Sequence, residues 1–151
     1  MSYLYLDSSA LLKAYVQEAG SADVLQAMAD SLYVGTALIT KVELAAAFTK
    51  LVRTRVLTNE MALFSMDLLL AHWPSFIRLQ VSNNVVDRAV ALTRRHPLRG
   101  YDAVQLASAV VWQEVISQPV AFATFDKLLW RTAADAGLTP FPNDLSPFLL
   151  R

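Results

Sequence analysis

Short apolar stretches alternate with segments of helical periodicity along the whole chain, and this alternation constrains the fold more than any other feature. Strands are predicted at residues 3–6, 33–39, 76–81 and 120–124, with a proline-containing edge strand at 139–141. Helices are predicted at 8–17, 21–30, 40–53, 59–72, 83–95, 101–116 and 126–136. Because right-handed crossover helices carry the chain between parallel strands, the pattern predicts an α/β fold. We expect one domain over residues 1–151, a three-layer α/β/α sandwich with a mostly parallel sheet of four or five strands.

The composition excludes a disordered chain and several kinds of site. Hydrophobic residues make up 55% of the 151 residues and charged residues 17%, compared with about 45–50% and about 25% in typical globular domains. This apolar excess favours an interface with a partner or a second copy. Cysteine is absent, which excludes a disulfide framework, a thiolate nucleophile and a zinc ribbon.

The same composition predicts a cytoplasmic protein without a membrane segment. No basic residue precedes Lys13, so the start does not resemble a signal peptide. No uncharged run approaches the roughly 20 residues of a bilayer span. The 13 basic and 13 acidic residues cancel, so the net charge indicates no particular partner.

Four acidic residues lie at the starts of predicted helices, and three of them come shortly after predicted strands. Asp7 directly follows the first strand, Glu43 lies four residues after the second, and Asp126 lies two residues after Thr124. Asp102 lies near the start of the helix at 101–116. Because ligands bind beyond the carboxyl ends of parallel strands, we expect these carboxylates to meet at one edge of the sheet.

Helix capping is the alternative interpretation of each acid. Asp7 and Asp126 stand where an N-cap is expected, and aspartate is a preferred N-cap. Thr40-Lys-Val-Glu43 has the spacing of a capping box. Asp102 in a first helical turn complements the helix dipole. The sequence alone leaves this alternative open.

A divalent cation would explain why these positions are all carboxylates. Asn59 and Asn83 begin other predicted helices with neutral amides, so a neutral residue was available for capping. Carboxylates gathered at one edge raise each other's pKa by repulsion, and a hard cation offsets that repulsion. Oxygen ligands without cysteine favour Mg²⁺ or Mn²⁺ over zinc.

Four segments together resemble the signature of the PIN-domain family, and the resemblance covers nearly the whole chain. They occur in the family's order and spacing: Asp7-Ser-Ser-Ala-Leu-Leu-Lys, Thr40-x-x-Glu43, Leu98-Arg-Gly-Tyr-Asp102-Ala-Val-Gln-Leu-Ala and Thr124-Phe-Asp126. The most similar subgroup is the VapC-like ribonuclease toxins of type II toxin–antitoxin pairs. The resemblance implies a PIN-like fold with Asp7, Glu43, Asp102 and Asp126 as an acidic quartet. Thr124 would be the accompanying hydroxyl residue.

The resemblance also implies an activity, a cofactor and partners. It implies a Mg²⁺-dependent endoribonuclease, with Mn²⁺ able to substitute, that is inhibited by a cognate antitoxin and forms a homodimer. We expect Asp7, Asp102 and Asp126 to ligate metal, and Glu43 to hold a water molecule or act as a general base. Lys127 stands where some members carry a further acid, so the number of metal ions, one or two, stays open.

Basic and apolar segments suggest where these partners would bind. Candidate RNA contacts are Lys41, Arg94, Arg95 and Arg99, and an ordinary solvated face is the alternative interpretation. The helix at 60–73 is apolar nearly all around, which favours either two-sided burial or a groove for an antitoxin segment.

Two other functions remain open at this point. One is a non-catalytic RNA-binding or partner-binding module whose acids are only helix caps. The other is a phosphatase with an aspartate nucleophile at Asp7, although Asp7-Ser-Ser lacks the second acid that such enzymes carry two residues on.

Overall fold

The sheet has five strands, all parallel. In the computed structural model, which describes residues 2–149, the strands are β1 (Tyr3–Leu6), β2 (Tyr33–Ala37), β3 (Ile77–Leu79), β4 (Ala121–Ala123) and β5 (Thr139–Phe141). Their order is β3-β2-β1-β4-β5, and every neighbouring pair is parallel. The predicted α/β sandwich is therefore confirmed, with a wholly parallel sheet of five strands.

Helices connect the strands. They are α1 (Ser8–Leu12), α2 (Ser21–Asp30), α3 (Thr40–Arg53), α4 (Asn59–His72), α5 (Asn83–Arg95), α6 (Gly100–Ile116), α7 (Lys127–Asp135) and α8 (Ser146–Leu149). A 3₁₀ turn, Trp73–Ser75, follows α4. None of the helices described within residues 2–149 is long and apolar enough to cross a membrane.

The first helix is shorter than the periodicity predicts. The prediction of a helix at 8–17 is wrong beyond Leu12, because the chain turns there and buries Tyr15 and Val16 in the core. Gly20 does not end this helix. It precedes α2 as its N-cap with φ of 95°, and a Cβ atom there would lie 2.8 Å from the ring of Phe125.

Alternating side chains of the central strand β1 separate two cores. Leu4 and Leu6 pack with buried residues of α1, α2, α3 and α4. Tyr5 packs on the opposite face with α6 and α7, and α5 packs against the outside of α6. This alternation produces the three layers, since successive side chains of a strand point to opposite faces.

The chain order opens a crevice between β1 and β4. These strands are neighbours, but the chain leaves β1 towards β2 on one side and leaves β4 towards β5 on the other. Such a divergence of connections is where open parallel sheets bind ligands. Asp7 and Thr124 come directly after these two strands, so the fold places them at the crevice.

Candidate active site

All four predicted acids line one pocket. It has a volume of about 410 Å³, and Asp7, Glu43, Asp102 and Asp126 all contribute to its wall. They come from four separate parts of the chain: the start of α1, the first turn of α3, the first turn of α6 and the start of α7. The topology therefore gathers carboxylates that are up to 119 positions apart in the sequence.

Asp7 is buried and makes three hydrogen bonds. Its side chain is the N-cap of α1, because Oδ1 accepts from the Ala10 backbone N at 2.9 Å. The same oxygen accepts from Ser9 Oγ at 2.7 Å, and Oδ2 accepts from Thr124 Oγ1 at 2.5 Å. Capping is thus one role of Asp7, and the bond to Thr124 across the crevice is a contact that capping does not require.

Burial makes the Asp7 carboxylate costly to ionise. Loss of solvation raises its pKa from 3.8 to about 6, although the hydrogen bonds from Thr124, Ala10 and Ser9 lower it in part. The nearby charge of Asp102 raises the pKa further. Because a nearby cation favours the ionised form, this pocket is a favourable place for positive charge.

Hydroxyl groups tie the loop after β4 to the start of α1. Thr124 Oγ1 donates to Asp7 and accepts from the Asp126 backbone N at 3.1 Å. Ser9 Oγ donates to Asp7 and accepts from the Phe125 backbone N at 3.0 Å. Asp126 in turn caps α7 by accepting from the Leu129 backbone N at 2.9 Å. Two acids are therefore held in one network, and Ser9 is a member that the sequence analysis missed.

Glu43 does not take part in a capping box, so that interpretation is wrong. The N-cap of α3 is Ile39, which makes no side-chain capping bond. Thr40 is buried, and its hydroxyl bonds to Thr36 Oγ1 at 2.7 Å and to Gln105 Nε2 at 3.0 Å. The Glu43 side chain lines the pocket and bonds to Gln105 instead.

Gln105 holds Glu43 in place, and the sequence analysis gave it no role. Its Nε2 donates to Glu43 Oε1 at 2.8 Å and to Ser8 Oγ at 3.3 Å. Its Oε1 accepts from the hydroxyl of Tyr5, and both Gln105 and Tyr5 are buried. The sequence does contain a signal for Gln105: it is an amide on an otherwise apolar helix face, one turn after Asp102.

Asp102 is paired with a cation and does not cap a helix. Its Oδ2 accepts from Arg99 Nε at 3.1 Å, and the N-cap of α6 makes no side-chain capping bond. Burial raises the pKa of Asp102, Arg99 lowers it, and the charge of Asp126 raises it. Capping therefore accounts for Asp7 and Asp126. Glu43 and Asp102 make no capping bond, but they lie in the first turns of α3 and α6, where the helix dipole favours an acid.

The donor atoms fit a hard divalent cation, although the carboxylates do not converge on one point. The pocket offers carboxylate and hydroxyl oxygens, which are ligands that Mg²⁺ accepts. Within residues 2–149, no three acidic or imidazole side chains lie close enough to form a metal-binding group. Each carboxylate bonds to a partner of its own. Asp7 bonds to Thr124 and Ser9, and Glu43 bonds to Gln105. Asp102 bonds to Arg99, and Asp126 bonds to the start of α7.

The predicted basic contacts divide into two groups. Arg99 lines the pocket, and so does Lys50, which the sequence analysis did not choose. Lys41 lies against Trp73, with its Nζ 5.8 Å from the centre of the ring. Arg94 and Arg95 are exposed in the last turn of α5 and are not part of the pocket wall.

Comparisons with known proteins agree with this fold. The model of the PIN domain family matches residues 4–135. Ribonuclease VapC45 of Mycobacterium tuberculosis (strain CDC 1551 / Oshkosh) is 32% identical over 97% of this chain and 100% of its own length. The structure of PAE2754 from Pyrobaculum aerophilum superposes with a TM-score of 0.65 and 18% identity, covering 99% of this chain and 91% of that chain. A toxin–antitoxin complex from Klebsiella pneumoniae gives a TM-score of 0.58 and 19% identity, covering 83% and 87%.

Proposed function

Since this chain belongs to the PIN domain family, we propose that it is a metal-dependent endoribonuclease and the toxin of a type II toxin–antitoxin pair. The observation that carries the proposal is the pocket lined by Asp7, Glu43, Asp102 and Asp126. The name of the relative, a VapC ribonuclease that matches over nearly the whole chain, supports RNA as the substrate.

The residues of the pocket would have different roles in the reaction. Asp7, Asp102 and Asp126 would hold Mg²⁺, with Mn²⁺ able to substitute. Such an ion would lower the pKa of a water molecule and polarise the phosphoryl oxygen. Thr124 and Ser9 fix the direction of the Asp7 carboxylate through their hydrogen bonds. Glu43 is held at Oε1 by Gln105, and its second oxygen would orient the attacking water and accept its proton.

Cations beside the pocket support a polyanionic substrate. Arg99 and Lys50 both line the wall, and Arg99 is largely exposed. Either side chain can reach a phosphate in the pocket. Because Arg99 pairs with Asp102, a bound cation competes with this ion pair for the same carboxylate.

An apolar groove between α3 and α4 supports binding of an antitoxin. It has a volume of about 470 Å³, and Phe48, Val52, Leu63 and Met66 line it. Leu63 and the neighbouring Phe64 are 66% and 69% exposed. Such a groove fits the apolar face of a helix, and we assign it to the antitoxin. Homodimer formation is a further part of the proposal.

Cleavage of a panel of structured RNAs tests the proposed activity. The wild-type protein should cut at least one RNA internally with Mg²⁺ or Mn²⁺, and EDTA should return the products to background because the carboxylates alone cannot activate water. Cleavage that persists in EDTA would contradict a metal-dependent mechanism. Failure to cut any RNA with either metal would contradict the ribonuclease assignment.

The Gln105→Leu variant tests how Glu43 is positioned. It removes the amide oxygen that accepts from the buried hydroxyl of Tyr5, so we expect the free energy of unfolding to fall by about 1–3 kcal/mol. It also releases Glu43, so kcat should fall by about tenfold, equivalent to about 1.4 kcal/mol of barrier. The KM for RNA should change little, because the amide of Gln105 is already engaged by protein groups, including Tyr5 and Glu43. Urea unfolding and steady-state cleavage measure these quantities.

Gln113 offers a matched control on the same helix. Its side chain accepts from the Val120 backbone N and donates to the Gly137 carbonyl, and it does not line the pocket. Gln113→Leu should therefore lose stability and keep the wild-type kcat. Equal losses of kcat in the two variants would indicate that Gln105 has only a structural role.

A further inference from the structure

Tyr101 places an exposed aromatic ring in the wall of the carboxylate pocket. It is the second residue of α6 and directly precedes Asp102. Among the residues that the structure describes, it is the one aromatic side chain that lines this pocket. It is nevertheless 47% exposed, and its hydroxyl makes no hydrogen bond to residues 2–149. Its ring is therefore accessible to a group that enters the pocket from solvent.

Arg99 fixes the position of this ring relative to the carboxylates. The centre of its guanidinium lies 5.0 Å from the centre of the Tyr101 ring, and its Nε lies 3.1 Å from Asp102 Oδ2. One cation therefore contacts both the aromatic ring and an acid of the pocket. Leu12 and Ala47 add apolar atoms to the same wall, so the pocket offers space for a flat apolar group beside its charges.

We propose that Tyr101 is the residue on which an unpaired RNA base stacks next to the phosphate that is cleaved. The inference rests on the proposed ribonuclease function and adds to it the side chain that holds this base. Bases in an A-form duplex are already stacked inside the helix, whereas bases of loops and single strands can turn out and stack on a tyrosine. Arg99 would hold the ring and contact the neighbouring phosphate.

The other large aromatic residues do not compete for this role. Trp73 and Trp112 are buried in the two cores. Trp130 donates its indole N–H to the Pro142 carbonyl at 2.7 Å. None of these rings lines the carboxylate pocket, so they cannot stack a base at the reacting phosphate.

Binding in EDTA separates stacking from cleavage, because RNA should stay intact there. We would measure fluorescence anisotropy of a labelled single-stranded RNA that contains the cleavage site, and of its blunt duplex. Tyr101→Ala should weaken binding of the single strand roughly 10- to 100-fold, and Tyr101→Phe and Tyr101→Trp should restore it, since stacking needs only an aromatic face. Binding of the duplex should not change. Tyr33→Ala is the matched control, because Tyr33 is 49% exposed and lies at the start of β2, away from the pocket.

Removal of the base from the RNA completes the test. An abasic nucleotide beside the cleaved bond should weaken binding and cleavage by the wild type to the level of Tyr101→Ala. In Tyr101→Ala itself, the abasic nucleotide should cause no further loss of binding or cleavage. Equal abasic losses in both proteins, or no rescue by Tyr101→Phe, would overturn the stacking role while RNA cleavage by the wild type upheld the proposed function. A wild-type protein that neither binds nor cuts RNA would overturn both.

Discussion

Replacing Asp7 with asparagine should reduce RNA cleavage by about a thousandfold, equivalent to about 4 kcal/mol of transition-state stabilisation from the metal ion. Asparagine is as good an N-cap as aspartate, so the bond from the Ala10 backbone N to the side chain can be kept. What the substitution removes is the negative charge at the centre of the pocket. The loss should appear in kcat with Mg²⁺ and with Mn²⁺, measured on the RNA that the wild type cuts best.

Asparagine is preferable to alanine here because it separates the two roles of Asp7. Alanine would also remove the helix cap, which costs about 0.5–2 kcal/mol, and a loss of activity could then reflect partial unfolding. Asp23→Asn is the matched control, since Asp23 is an exposed acid in the first turn of α2 and lies outside the pocket. It should cleave at the wild-type rate. An Asp7→Asn variant that kept full activity would mean that Asp7 is only a cap.

The fold could be predicted because its determinants are local. The bounds of α2, α3, α4 and α5 agree with the apolar periodicity, and each strand coincides with an apolar run. The exception is α1, which ends five residues early because Tyr15 and Val16 must reach the core. Tyr15 and Val16 pack against α3 and α4. The local sequence pattern around α1 does not indicate these tertiary contacts.

The acids of the site could be predicted for a similar reason, whereas their partners could not. In a parallel sheet, a residue that follows a strand lies at the carboxyl edge wherever the strand falls in the order. This reason covers Asp7, Glu43 and Asp126, whereas Asp102 follows no strand and lies near the start of α6, after α5. Gln105 instead has its role because it bonds to Tyr5 and Glu43, which are 100 and 62 positions away in the sequence. The Thr40 hydroxyl, which local spacing assigns to a capping box, bonds to Thr36 and Gln105 in the fold. Side-chain networks of this kind depend on tertiary distances that spacing does not encode.

The second large effect is a loss of stability as the pH rises. Ionisation of Asp7, which metal binding requires, should lower the free energy of unfolding of the metal-free protein. Burial raises the pKa of Asp7 from 3.8 to about 6 in the folded protein, so the folded state binds this proton more tightly than the unfolded state does. The stabilisation from the bound proton is complete below pH 3.8 and is lost as the pH rises through about 6. Between those values the free energy of unfolding should fall by about 1.36 kcal/mol per pH unit, about 3 kcal/mol in all.

Asp7→Asn cannot ionise, so the metal-free variant should escape this loss. Urea unfolding in EDTA from pH 4 to pH 8 gives the comparison: relative to wild type, the variant should gain about 2.4 kcal/mol between the two ends, because an unfolded aspartate is already more than half ionised at pH 4. The pKa of Asp102 is raised as well, but Asp102 is present in both proteins and its contribution largely cancels. Added Mg²⁺ at pH 7 should stabilise the wild type, because an ion that binds only the folded state shifts the equilibrium towards it, and should affect the variant little. A stability difference that stays constant from pH 4 to pH 8 would show that the buried carboxylate ionises as easily as one in water. The gathered carboxylates would then impose no electrostatic cost for a cation to relieve.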